Sequence, residues 1–121
     1  MKKDNFEIRF YEKVLKNSPN FVEALIILGD LYTKKGLYRK GLEVDLRLVK
    51  LRPKDSVVFY NLACDYSLLN EIDKALDALK KALDLGYDDL KYLERDKDLD
   101  NLRKDKRFDE LLSLFKEKRY L

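Results

Sequence analysis

The sequence predicts an all-α fold built from stacked antiparallel helix pairs. Three observations carry this. The first is a pattern that occurs twice: Leu25-x-x-Leu28-Gly29-x-x-Tyr32 and then Phe59-x-x-Leu62-Ala63-x-x-Tyr66. The copies stand about 34 residues apart, a period that marks a repeat architecture in which each unit buries its apolar face against its neighbours. The second is helical spacing inside each copy, since Leu25, Leu28 and Tyr32 recur at i, i+3 and i+7. The third is punctuation, with Gly36, Asn70 and Gly86 standing where helices should stop. About six or seven helices and no strand are expected, as one domain over residues 1–121.

The elements follow in order. Asn5 to Lys16 reads as a helix capped by Asp4 or Asn5 and ended by Ser18-Pro19, so residues 5–19 make half a unit whose first helix is missing. Advancing about 100° per residue from Phe6 at zero puts Phe10 at roughly 40°, Val14 at roughly 80° and Leu15 at roughly 180°. So wide an apolar arc exceeds what one packing face needs, and Phe6 and Phe10 are candidates for contact with a second molecule. Residues 22–55 form a full unit, with small Gly29 where its helices cross. Its second helix is ambiguous, because Leu42, Val44, Leu46 and Leu48 alternate with charged residues as in a strand. The phase of the repeat favours a helix, since the equivalent stretch from Lys74 to Leu85 is plainly helical. Asp45 is expected either in solvent or facing a partner. Residues 56–87 form the second unit, opened by an Asp55-Ser56 cap. Residues 88–121 depart from the pattern. They suggest a stub of another first helix, a turn capped by Asp98 and a last helix capped by Asp105, with Leu99, Leu102, Phe108, Leu111 and Leu112 covering the end of the array.

These residues, with Gly41, Pro53, Ala75, Leu79 and Ala82 at matching places, resemble the tetratricopeptide repeat family. The resemblance implies a solenoid of helix pairs with capping helices, acting as a protein–protein interaction module. It also implies that the first helix of each unit lines a concave groove. Carried onto this chain, the groove positions are Glu23, Ile26, Asp30 and Lys34, then Tyr60, Asn61, Cys64 and Leu68, with Lys91 beyond. Members that grip a C-terminal carboxylate need several Lys, Arg and Asn residues together on this wall. Here the corresponding places hold Ile26, Asp30, Tyr60 and Cys64, so a carboxylate clamp is not expected. Tyr60 is a candidate anchor for a partner, because a rigid aromatic gives large contact area at low entropy cost. Equally, it can pack against the chain's own C-terminal segment.

Composition narrows the chemistry. Charged residues make up 40% of the chain, yet 26 Lys and Arg against 23 Asp and Glu leave a net charge of only +3. Interleaved signs without a basic cluster argue against nucleic acid as a partner. The chain has no histidine and one cysteine, Cys64, which removes the commonest general base and metal ligand and any internal disulfide. Asp96, Asp98 and Asp100 alternate as at the start of a calcium loop, but its central glycine and closing glutamate are missing. No phosphate-binding loop or nucleophile motif occurs. A non-catalytic protein without cofactor or metal is expected. With no signal-peptide pattern and no apolar run long enough to span a membrane, the expected setting is cytoplasmic. Two functional classes remain: an adaptor that takes a peptide or protein segment in its groove, and a self-assembling protomer, such as a homodimer, joined through its N-terminal half unit.

Overall fold

The computed structural model describes residues 3–119. The chain forms two compact units, Met1–Pro53 and Lys54–Leu121. Among the described residues there are eight α-helices, one 3-10 turn and no strand.

The first unit holds α1 (Lys3–Asn17), α2 (Val22–Lys34) and α3 (Tyr38–Leu51). Because α1 already runs from Lys3, Asp4 and Asn5 stand inside its first turn, and its cap position lies outside the described residues. Helix α2 packs against both α1 and α3. Its buried stripe is Ala24, Leu25, Leu28, Gly29 and Tyr32, the face that the repeat pattern marks. Burying a leucine as completely as Leu25 contributes about 1.5–3 kcal/mol. Gly29 is small for a reason: a Cβ there would stand 3.3 Å from Asp45 Oδ1 and 3.4 Å from Val44 Cγ1. The Tyr32 hydroxyl donates to Glu12, which ties α2 to α1. The stretch with strand-like alternation is α-helical throughout, so the phase of the repeat outweighs the local period of two. Asp45 departs from the sequence expectation. It is only 6% exposed, neither in solvent nor open to a partner, and lies over Gly29 where the two helices cross.

The second unit begins with α4 (Ser56–Leu68) and α5 (Ile72–Asp84), then α6 (Leu90–Arg95), a 3-10 turn (Lys97–Leu99), α7 (Asp100–Arg103) and α8 (Lys106–Arg119). Asp55 caps α4, accepting from the Val57 amide at 2.9 Å and the Val58 amide at 3.4 Å. Asn70 ends α4 with φ 59° and Gly36 ends α2 with φ 77°, the left-handed turn at equivalent repeat positions. Lysines recur as well: Lys40 sits 5.7 Å from the Tyr32 ring centre, and its repeat equivalent Lys74 sits 5.8 Å from that of Tyr66.

Residues 88–121 keep more of the repeat than their sequence suggests. The helix starts Val22, Ser56 and Leu90 are evenly spaced, as are Tyr38, Ile72 and Lys106. The spacing in both series is the repeat length, about 34 residues. What differs is the first helix, which breaks at Asp96. That residue occupies the repeat position of Leu28 and Leu62. Its carboxylate accepts from the Asp98 amide at 3.0 Å, so Asp96, not Asp98, caps the following turn. The expected stub is α6, and the expected short turn is the 3-10 turn followed by α7. Leu93, Leu99 and Leu102 remain fully buried on either side of the break, with Phe108 and Leu112 of α8. Asp105 caps α8 as expected, accepting from the Arg107 amide at 2.9 Å.

Candidate interaction surfaces

With one face of α2 buried, the opposite face presents Glu23, Ile26, Asp30 and Lys34, all exposed. Ile26 is 47% exposed, and Ile27 beside it is 39% exposed. Lys34 reaches back one turn to Asp30 at 2.9 Å. This bridge is open to solvent and adds little to stability. The sequence-predicted set on this helix is therefore brought together on one surface: an apolar side chain between an acid and an ion pair. Ile27 lies outside that set, although its repeat equivalent Asn61 is within it.

In the second unit, Asn61 and Lys91 are exposed and Leu68 is half-buried. Tyr60 and Cys64, expected on the groove wall, are buried instead. The Tyr60 ring lies flat on Tyr87, with centres 4.3 Å apart and planes 2° from parallel, and Tyr92 leans against it at 6.3 Å. The Tyr60 hydroxyl donates to Asp96 Oδ2 at 2.5 Å, and Cys64 Sγ approaches the same oxygen at 3.8 Å. One turn further along α4, buried Ser67 receives the Leu102 amide on Oγ at 3.1 Å and the Asn101 side chain on its carbonyl at 2.9 Å. This face of α4 is thus covered by the chain's own residues between Tyr87 and Leu102. Of the two roles open to Tyr60, the structure shows packing. A signal was present in the sequence: Asp96 puts a carboxylate at a repeat position that is leucine in the other two copies, and such an acid needs a donor nearby.

The electrostatics of this cluster point away from chemistry. Burial is the largest cause pushing up the Tyr60 hydroxyl, with Cys64 and the Asp96 hydrogen bond adding to it. Burial and the neighbouring Asp96 likewise push the Cys64 thiol well above its ordinary value, which keeps it protonated and poorly nucleophilic. Tyr87 is raised to about 12, by burial first and then by Asp89. Cys64, Asp96 and Asp98 bring ligand-type atoms within 4.8 Å of one another. Both Asp96 oxygens are engaged, however, one by the Tyr60 hydroxyl and the other by the Asp98 amide. A thiolate ligand would moreover have to form where the thiol is held protonated. The trio reads as an internal hydrogen-bonded clasp.

Paired helices, an even repeat spacing and a small residue at the crossing define a helix-pair repeat protein. Residues 57–85 match the tetratricopeptide repeat family model, so the chain carries a tetratricopeptide repeat within an all-α helix-pair fold. Among curated proteins it is 43% identical over 92 residues to a chloroplastic protein of Arabidopsis thaliana, covering 74% of this chain and 28% of that one. It is 39% identical over 72 residues to the "Protein CTR9 homolog" of the same plant, covering 60% of this chain and 6% of that one. This chain therefore spans less than a third of either relative. Among solved structures, a crystal structure of MamA superimposes with TM-score 0.62 at 37% identity, over 65% of this chain and 43% of that one. Another, MamA 41-end from Desulfovibrio magneticus RS-1, does so with TM-score 0.66 at 26% identity, over 91% and 65%. Repeat arrays of this kind serve protein–protein interaction in general. Among the described residues no helix is long and apolar enough to cross a membrane.

Proposed function

We propose that this chain is a non-catalytic adaptor that takes a peptide or protein segment on the first helices of its repeats. The observation that carries the reading is Ile26, 47% exposed at mid-helix on α2, between Glu23 and the Asp30–Lys34 pair. A solvated apolar side chain ringed by both signs of charge suits a segment offering one apolar anchor and mixed flanking charge, and does not suit a free carboxylate. Asn61, Leu68 and Lys91 are the accessible members of the set in the second unit. The single buried cysteine fits a reducing compartment such as the cytoplasm. The test is site-specific photocrosslinking in the native host, with the probe at Ile26 or, as control, at exposed Lys50 on α3. One discrete adduct from position 26, absent from position 50, supports the groove. Equal adducts from both, or none, would remove it.

A second reading has its own observation. Phe6 is 63% exposed and Phe10 is 52% exposed, one turn apart on α1. Solvated phenylalanines so placed support self-association through the N-terminal helix. Light scattering across a concentration series tests it, and a mass that stays monomeric at millimolar concentration would reject it.

A further inference from the structure

Self-association through α1 leaves open which surface of the second copy meets Phe6 and Phe10, and the charges beside them answer it. Seen down α1 at about 100° per residue, Phe6 and Phe10 define a stripe, with Arg9 about 80° and Lys13 about 40° to one side and Glu7 about 80° to the other. Arg9, Lys13 and Glu7 are all exposed.

Two antiparallel helices bring flanks of the same hand together. Antiparallel packing of α1 on the α1 of another copy would therefore set Arg9 and Lys13 against the same cations. A symmetric pair of that kind is electrostatically disfavoured. Helix α8 offers the complement. Leu114 is 56% exposed on it. Around Leu114, Glu110 lies about 40° and Glu117 about 60° to the side that would meet the cations, while Lys118 lies about 40° to the other. These three are exposed as well. With Leu114 seated between Phe6 and Phe10 of an antiparallel α1, Glu110 comes within a turn of Lys13 and Glu117 just over a turn from Arg9. On the opposite flank Lys118 comes within a turn of Glu7. In this one register three pairs of opposite charge match across the two flanks, while exposed Lys106 meets exposed Lys16 at one end of the contact.

We propose that α1 of one copy packs antiparallel on α8 of a second copy, with Leu114 between Phe6 and Phe10. The proposal rests on the self-association reading above and names the surface that reading lacks. Because the two patches differ, the contact is heterologous, and it closes into rings or extends as open chains. Solvent-exposed ion pairs on its flanks make it sensitive to salt.

Sedimentation equilibrium on two charge-reversed proteins tests this. One carries Arg9→Glu with Lys13→Glu, and the other Glu110→Lys with Glu117→Lys. All four positions are exposed, so circular dichroism should confirm unchanged folding. Each reversed protein alone should lose at least roughly tenfold in association constant. An equimolar mixture of the two should recover it, since every α1 then meets an α8 of opposite charge. Association that responds to the α1 reversal, ignores the α8 reversal and does not recover on mixing overturns the α1–α8 contact while leaving self-association through α1 standing. An unmodified protein that is monomeric at millimolar concentration overturns both.

Discussion

At the residue scale, buried acids do what the repeat pattern assigns to apolar side chains. Asp45 stands at a place where the pattern asks for a large apolar residue, and the pattern alone suggests that Asp45→Tyr would fill a gap. The structure reverses that expectation. The Asp45 carboxylate already lies 3.3 Å from where a Gly29 Cβ would be, which leaves no room for a phenol ring. Asp45→Tyr should overpack the crossing and lower stability by about 1–3 kcal/mol, measured by urea unfolding; a gain in stability would show the space to be there. Tyr60→Phe should cost about 1–3 kcal/mol, because it takes the O–H from a buried Asp96 oxygen and leaves the shape unchanged. Its folded baseline should keep the same helical signal, and an unchanged unfolding midpoint would mean that water replaces the lost donor. Asp45's role at the crossing was not legible in the sequence, and Asp96's was legible only as a carboxylate at a repeat position that is leucine in the other copies. Composition and charge counts treat Asp45 and Asp96 like the many solvated acids of this chain, and only the alignment of the repeats singles them out.

At the element scale, the helices were legible wherever two copies of the repeat could be compared. The alternating stretch in α3 resolved because α5 carries the same phase without ambiguity. Residues 88–121 were harder to read, since Asp96, Lys97 and Asp100 hold the places of Leu62, Ala63 and Tyr66. The loss of those side chains hid a first helix that starts on schedule at Leu90 and breaks after one and a half turns. The groove suffered for the same reason: without α6 and α7 in place, the sequence left Tyr60 open to either a partner or the chain's own C-terminal segment, and gave no cover for Cys64. The start of α8 gives a pH test. Asp105 is held from its ordinary 3.8 down to about 2, first by the side-chain hydrogen bond from Arg107 and then by the backbone hydrogen bond from the same residue. A carboxylate depressed on folding adds stability that is full above 3.8 and is lost as pH falls through about 2. The α8 cap should therefore persist to about pH 3 at low salt and loosen near pH 2. In Asp105→Asn, which still caps but does not titrate, backbone amide protection at Arg107 should show no step in that range. A step of equal size in both proteins would assign the loss to other acids.

At the scale of the whole molecule, the chain consists of two compact units, each with its own core, and Cys64 reports on one of them. It is the only cysteine, 7% exposed and covered by Asp96, so a thiol reagent reaches it when the second unit opens. Two truncations of similar severity can then be compared. Leu25 of the first unit and Leu99 of the second are both fully buried, and changing either to alanine should cost about 2–5 kcal/mol. In a repeat protein, openings propagate between neighbours without having to be global. Leu99→Ala should therefore speed Cys64 labelling in native buffer much more than Leu25→Ala does, by roughly tenfold for each 1.4 kcal/mol of differential opening. In denaturant the two proteins should label alike, which controls for intrinsic reactivity of the thiol. Equal acceleration in native buffer would show that Cys64 becomes reachable only when both units unfold together, and the second unit would then have no opening of its own.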